Sequence, residues 1–112
     1  MGTQNIAILT LTIVADGDIT ANRFVNHIGQ QAGEDDNALG VARSNAALGE
    51  SLSVDVVGTA IVEAGGAIAP GDALSADTDG RAVVAGSGAL LARALEPADA
   101  AGALIEVLLI VN

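Results

Sequence analysis

The chain contains no cysteine and no lysine, and one phenylalanine is the only aromatic residue among its 112 residues. Without cysteine there is no disulfide, thiolate metal site or thiol nucleophile. Without lysine a P-loop cannot form, and the sequence has no GxGxxG dinucleotide fingerprint either. A single aromatic ring provides no platform on which sugars or bases could stack. These absences exclude several common classes of catalytic and ligand-binding site.

Positive charge is also scarce, because four arginines stand against 14 acidic residues and give a formal net charge of −10. Nucleic-acid binding depends on cations that neutralise phosphates, so we expect no nucleic-acid partner. Anionic membrane surfaces would repel a chain of this negative charge. The most apolar stretch, 103–111, is too short to span a bilayer. The N-terminal stretch lacks the basic flank of a signal peptide. We therefore expect a soluble protein that is made in the cytoplasm and has no membrane partner.

All the cations are arginine, whose planar fork suits fixed ion pairs. Structural or interface pairing is one interpretation, and solvated surface residues are the other. The four positions are Arg23, Arg43, Arg81 and Arg93.

The size of the chain, 10.9 kDa, predicts one domain over residues 1–112 with a thin core. A protein of this mass buries about 65% of its unfolded surface. Although 51% of the residues are apolar, 23 of them are alanine and contribute little area each. Small scaffolds often gain missing stability by oligomerising, so we expect some apolar surface to be buried between subunits.

The large apolar residues are mostly Ile, Val and Leu, which favours strands. Residues 5–15 predict a first strand with two apolar faces, which we expect to be covered by the chain's own core and by a neighbour. Residues 19–28 predict a second strand, and 29–37 a polar acidic loop. Further turn signals follow, of which Asp79-Gly80 is the strongest for a hairpin. The prediction is an all-β fold, a small barrel or sandwich with one or two helical turns in the alanine-rich connections.

A pattern occurs twice, from Ala38 and from Ala89. Each copy has a short strand that ends in Ala-Arg, an alanine-rich connection to a glycine, and a second strand. Two copies are too few for a solenoid. A pseudo-symmetric β domain and coincidence in an alanine-rich chain both remain open.

Three groups of residues could carry chemistry, and each has a simpler interpretation. Asp77-x-Asp79-Gly80 resembles part of a calcium loop, but the closing Glu is missing, so a hairpin turn is favoured. Glu34-Asp35-Asp36 could gather a cation, although such a run is more often a solvated loop. His27 has no partner motif for general-base work. We predict no catalytic site, no cofactor and no metal.

Residues 39–111 resemble the capsid cement, or head decoration, proteins of tailed phages and prophages. The resemblance lies in the order and spacing of GVARSNAALGESLSVDVVG, the IAPGD turn at Ile68–Asp72, the DTDG hairpin at Asp77–Gly80, and the closing LLARALEPADAAGALIEVLLI. It divides the chain into residues 1–38, with N-terminal strands and an acidic loop, and the cement-like region 39–112.

That resemblance implies a β-barrel-like fold, assembly as homotrimers, and attachment to the outside of an icosahedral head, where the major capsid protein is the partner. It implies no catalytic residues. The function so predicted is structural: a decoration protein of the virion surface that stabilises the mature shell. A small non-catalytic ligand- or carbohydrate-binding β domain is the alternative, and an accessory subunit of a non-viral complex is a third possibility.

The N-terminal segment is our candidate for the contact with the capsid, because an apolar extended end can add to the edge of a partner's sheet. Pairing only within the trimer is the other interpretation. The candidate residues are Thr3, Gln4, Asn5, Ile6, Ala7 and Ile8.

Overall fold

The computed structural model describes residues 6–86 and 88–111, which form eight strands and no helix. All strand pairs are antiparallel. Within the described ranges there is accordingly no helix long and apolar enough to cross a membrane. The strands are β1 (Ala7–Val14), β2 (Phe24–Val25), β3 (Gly40–Ala42), β4 (Ser51–Glu63), β5 (Ala73–Ala76), β6 (Ala82–Val84), β7 (Ala92–Ala94) and β8 (Leu104–Leu109).

The all-β prediction is confirmed, but the expected helical turns are wrong. Both alanine-rich connections instead form non-helical turns that end at a glycine with positive φ, Gly49 at +87° and Gly102 at +96°. The predicted second strand over 19–28 is also shorter than expected. Asn22 has φ +64°, a left-handed conformation that interrupts an extended chain, and only Phe24–Val25 form strand.

Strand β4 is the longest element and connects the two parts of the sheet. Its first part pairs with β1 and β3, and its second part pairs with β8. The sheet order is β2-β3-β4-β8-β7-β5-β6, with β1 added on β4. A parallel bridge between Ala64 and Ala82 joins β6 back to the end of β4, so the second part of the chain is a nearly closed small barrel.

The two halves of the chain repeat several backbone hydrogen bonds on either side of Gly58. We call residues 7–57 the first half and residues 59–109 the second half. In the first half the amide of Gly49 donates to Ala15 O at 2.8 Å; in the second, Gly102 donates to Ala64 O at 2.8 Å. The isolated bridges Ile19↔Ala46 and Ile68↔Ala98 also correspond. The pseudo-symmetric interpretation of the sequence pattern is therefore correct.

The tight turns between the strands repeat as well. Asn26 Oδ1 accepts from the amides of Ile28 and Gln30, as Asp77 Oδ1 accepts from the amides of Asp79 and Arg81. These matches define equivalent positions in the two halves. The pairs used below are Val14/Glu63, Ala15/Ala64, Ile28/Asp79, Leu48/Ala101 and Gly49/Gly102.

Two apolar clusters form the core. The larger lies mostly in the second half and contains Phe24, Leu74, Ile105 and many alanines. The smaller lies in the first half around Val25, Leu52 and Val54. Small side chains leave little room for a cavity, and no pocket forms in the described part of the chain.

Candidate interaction surface

Strand β1 exposes apolar side chains on both of its faces. Ile8 is 79% exposed, Leu9 45% and Leu11 38%, although they alternate between the two sides of the strand. The expectation that the chain's own core covers one face is therefore wrong. Residues of β2, β3 and β4 fill the smaller cluster, and β1 contributes only the partly buried Ile13 to it.

The backbone of β1 is paired along one edge. Its partner is β4, from Ala7 opposite Gly58 to Val14 opposite Ser51. No other named strand among residues 6–86 and 88–111 pairs with β1. The sequence of β1, AILTLTIV, contains no charge. An uncharged strand with exposed apolar faces is a template for association with another chain.

Among the predicted contact residues, Ile6 precedes β1 and Ala7 and Ile8 begin it, whereas Thr3, Gln4 and Asn5 fall outside the described residues. Ile6 is tied to β4 twice: its amide donates to Thr59 Oγ1 at 2.8 Å, and its carbonyl accepts from the Thr59 amide at 2.9 Å. Ala7 opposes Gly58, and the Ile8 side chain points to solvent. An interface role for residues 3–8 stays a prediction.

Gly58 allows β1 to lie close to β4. Its φ is +102°, and a Cβ built there would be 2.5 Å from Ile6 O and 2.8 Å from Ile8 N. Only glycine combines this backbone conformation with so close an approach. The junction between the two halves is therefore also where the start of β1 is seated.

A buried carboxylate in β4 contacts both a side chain of β1 and an arginine. Asp55 is 1% exposed; its Oδ1 accepts from Thr10 Oγ1 at 2.8 Å and lies 3.2 Å from Arg43 Nε. Polar contacts thus hold β1 where apolar packing is sparse. This site was not identified from the sequence. An Asp inside a largely apolar strand, Ser51–Glu63, was nevertheless a signal, because a buried carboxylate requires polar partners.

A second charged network joins the two halves. Glu63 Oε1 lies 3.2 Å from Arg23 Nη2, and Glu63 Oε2 lies 4.0 Å from Arg81 Nη1. Arg81 also contacts Asp77 at 3.0 Å and Asp79 at 3.7 Å. The ion-pair interpretation is confirmed for Arg23, Arg43 and Arg81. The fourth arginine, Arg93, donates to Gly71 O at 2.9 Å.

The other candidate residues lie in turns. Asp77 to Gly80 connect β5 and β6, so the hairpin interpretation of this segment is confirmed. His27 lies exposed in the preceding repeat of the same turn, and Glu34, Asp35 and Asp36 are exposed in a loop. Within the described residues no three His, Asp or Glu side chains are grouped to hold a metal.

The fold and its surface define a small all-β module with an uncharged strand available for association. A model of the phage cement protein family matches residues 3–109, and the chain belongs to that family. The match includes the N-terminal strands, which the sequence resemblance over 39–111 did not. Members of this family are structural proteins of phages.

A solved structure has the same fold. It is the crystal structure of the head fiber gp8.5 N base in bacteriophage phi29, with a TM-score of 0.74 and 23% sequence identity. The alignment covers 91% of this chain and 93% of that chain. At this identity the likeness concerns the fold alone. The search among curated proteins found no match.

Proposed function

We propose that this chain is a head decoration (cement) protein: a homotrimer that binds the outside of the capsid, stabilises the mature shell and catalyses no reaction. It is made in the host cytoplasm and becomes part of the virion surface, with the major capsid protein as its partner. Membership of the phage cement family supports the structural role. The number of subunits, three, comes from the family resemblance of residues 39–111.

Strand β1 is the observation that carries self-assembly. In the second half the equivalent strand is the end of β4, whose Ala60 and Val62 are both fully buried by the same chain. Their equivalents in β1 are Leu11, which is 38% exposed, and Ile13, which is partly buried. The chain therefore buries these apolar positions in the second half and leaves their equivalents in β1 partly exposed. We assign the burial of the β1 side chains to contact with a neighbouring subunit.

Charge supports the same assignment. Copies of a chain with net charge −10 repel one another, and like charges brought together across an interface are unfavourable. Strand β1 carries no charge, so it is a surface on which copies can meet without this penalty.

Shell stabilisation follows from binding. A protein that binds the mature shell in preference to the precursor shifts the equilibrium by its differential affinity, and bound protein opposes rupture by mass action. Three linked contacts increase the avidity, so each one can be weak. The acidic surface adds no affinity for packaged DNA.

Light scattering across a dilution series tests the assembly. We expect a mass of three times the 10.9 kDa chain, and a mass that stays at one chain at the highest concentration contradicts the homotrimer. Co-sedimentation with expanded empty shells of the encoding phage tests the partner. Deletion of residues 2–8 then tests the candidate segment: unchanged shell binding by the deleted trimer would refute its role in capsid contact.

A further inference from the structure

Three large apolar side chains are exposed together at one end of the first half. Val14 is 64% exposed, Ile28 65% and Leu48 67%. Each is one residue from a backbone hydrogen bond to Ala15 or Asp16: the Asp16 amide donates to Gly29 O, and the Gly49 amide donates to Ala15 O, both at 2.8 Å. We call Val14, Ile28 and Leu48 the apolar tip.

The repeat shows that the local fold does not need apolar residues there. The equivalent positions in the second half carry Glu63, Asp79 and Ala101. Glu63 and Asp79 both lie within 4.0 Å of Arg81, so the end of the second half is an ion-paired surface. The hydrogen bond between Gly49 and Ala15 repeats between Gly102 and Ala64, whereas the Asp16 amide donates to Gly29 O and the equivalent Gly65 amide to Ala82 O. Two halves with closely similar hydrogen bonds thus end in surfaces of opposite character. The apolar tip is therefore not explained by folding.

Three acidic residues follow the residues of the apolar tip closely in the chain. Asp16, Asp18 and Glu50 are all exposed, and their equivalents in the second half are the uncharged Gly65, Ala67 and Ala103. Gln30 Nε2 donates to Asp16 Oδ2 at 3.2 Å, and the Ala47 amide donates to Glu50 Oε1 at 2.7 Å. All four arginines of the chain make contacts with other residues. An apolar centre with a polar rim is the usual anatomy of a protein interface.

We propose that the apolar tip is the surface that docks on the capsid, and that its target is an apolar depression of the shell ringed by arginine or lysine side chains. This inference rests on the proposed decoration function. A second copy of the chain is a poor occupant, because a symmetric contact would bring the rims of Asp16, Asp18 and Glu50 together. Apart from Val14, which ends β1 and belongs to the tip, the uncharged β1 and the acid-rimmed tip therefore serve different partners.

The repeat supplies the test variants. In V14E/I28D/L48A each residue of the tip is replaced by its equivalent from the second half, where the same local structure tolerates it. The double variant I28D/L48A leaves β1 unchanged. The control V84E/V111E adds the same two negative charges as the triple variant at side chains elsewhere that are 51% and 71% exposed.

Binding to expanded empty shells of the encoding phage is measured by co-sedimentation, and the mass of each variant by light scattering. Loss of central apolar contacts weakens interfaces by about tenfold or more. We expect both tip variants to keep the trimer mass and to bind shells at least about tenfold more weakly than the control.

Each other result has a definite meaning. Tip variants that remain trimers and bind like the control overturn the docking role of the tip and leave the decoration function standing. Variants that fall to single chains place the tip between subunits, which also overturns the inference. Failure of the unaltered trimer to bind shells overturns the decoration function and this inference with it.

Discussion

At Gly58, the absence of a side chain determines whether β1 can lie on β4. The backbone there is left-handed, and the neighbouring atoms of Ile6 and Ile8 leave no space for a Cβ. Nearby, Asp55 accepts a hydrogen bond from Thr10 and forms an ion pair with Arg43. At the scale of single residues, the seating of β1 thus rests on one glycine and one buried carboxylate.

Gly58→Ala tests the close approach. We expect the free energy of unfolding to fall by about 2 kcal/mol, because alanine is strained at positive φ and its methyl group displaces β1. Urea unfolding at matched protein concentration measures the change. Gly66→Ala is the control, since nothing lies within 4 Å of a Cβ there. Equal effects of the two substitutions would contradict the packing argument.

Arg43→Met tests the buried carboxylate. Without Arg43, the buried carboxyl group of Asp55 has one partner fewer, and we expect the free energy of unfolding to fall by about 1–2 kcal/mol. We expect no larger loss of stability, because the Arg43 side chain is 45% exposed and water screens its ion pair with Asp55. Arg93→Met removes an exposed arginine that forms no ion pair within the described residues and donates to Gly71 O, and we expect a change within about 0.5 kcal/mol. Urea unfolding of both variants measures the two changes in the free energy of unfolding. Similar losses of stability would rule out a special role for the ion pair with Asp55.

At the scale of elements, the sequence predicted the strands that have strong local signals. A segment rich in Ile, Leu, Val and Thr located β1, and Asp79-Gly80 located the β5–β6 hairpin. The repeated Ala-Arg pattern correctly indicated two similar units. These features depend on contacts close in sequence or on turn chemistry, which is why the residues alone reveal them.

Other elements depend on tertiary structure and could not be read in the same way. The left-handed Asn22 cut the expected second strand to two residues. The exposure of β1 depends on which residues fill the smaller cluster. The apolar tip combines three residues that are far apart in sequence, so only the folded chain brings Val14, Ile28 and Leu48 together.

Charged substitutions in β1 test its role as the subunit contact. Ile8 and Leu9 are exposed in the single chain, so I8E/L9E should change its folding little. In the trimer the same side chains would be buried without partners, and we expect light scattering to show a mass near one chain. V84E/V111E, which adds the same charge at two exposed side chains outside β1, should remain a trimer. A trimeric I8E/L9E variant would show that β1 is not the subunit contact.

At the scale of the whole molecule, the net charge of −10 opposes association of identical chains. Salt screens this repulsion, since the Debye length falls from about 30 Å at 0.01 M to about 3 Å at 1 M ionic strength. We expect added sodium chloride to lower the concentration at which the trimer dissociates, as measured by light scattering. Weaker assembly at high salt would point instead to ion pairs between subunits.

Shell binding should respond to salt in the opposite direction. The rim of Asp16, Asp18 and Glu50 is proposed to meet basic side chains, and screening reduces that attraction. Co-sedimentation across the same salt series should show weaker binding as salt rises. Binding that strengthens with salt would indicate an apolar contact without the basic ring.

The continuity of β4 also has a mechanical consequence. One unbroken strand, Ser51–Glu63, runs from the last residues of the first half into the first residues of the second. A force applied to either half is therefore transmitted to the other along the backbone of this strand. A force along β4 shears the hydrogen bonds that pair it with β1 and β8. These hydrogen bonds then resist the force together and do not break one after another. A module built this way can transmit tension between a shell beneath it and the subunits beside it without a hinge at its centre.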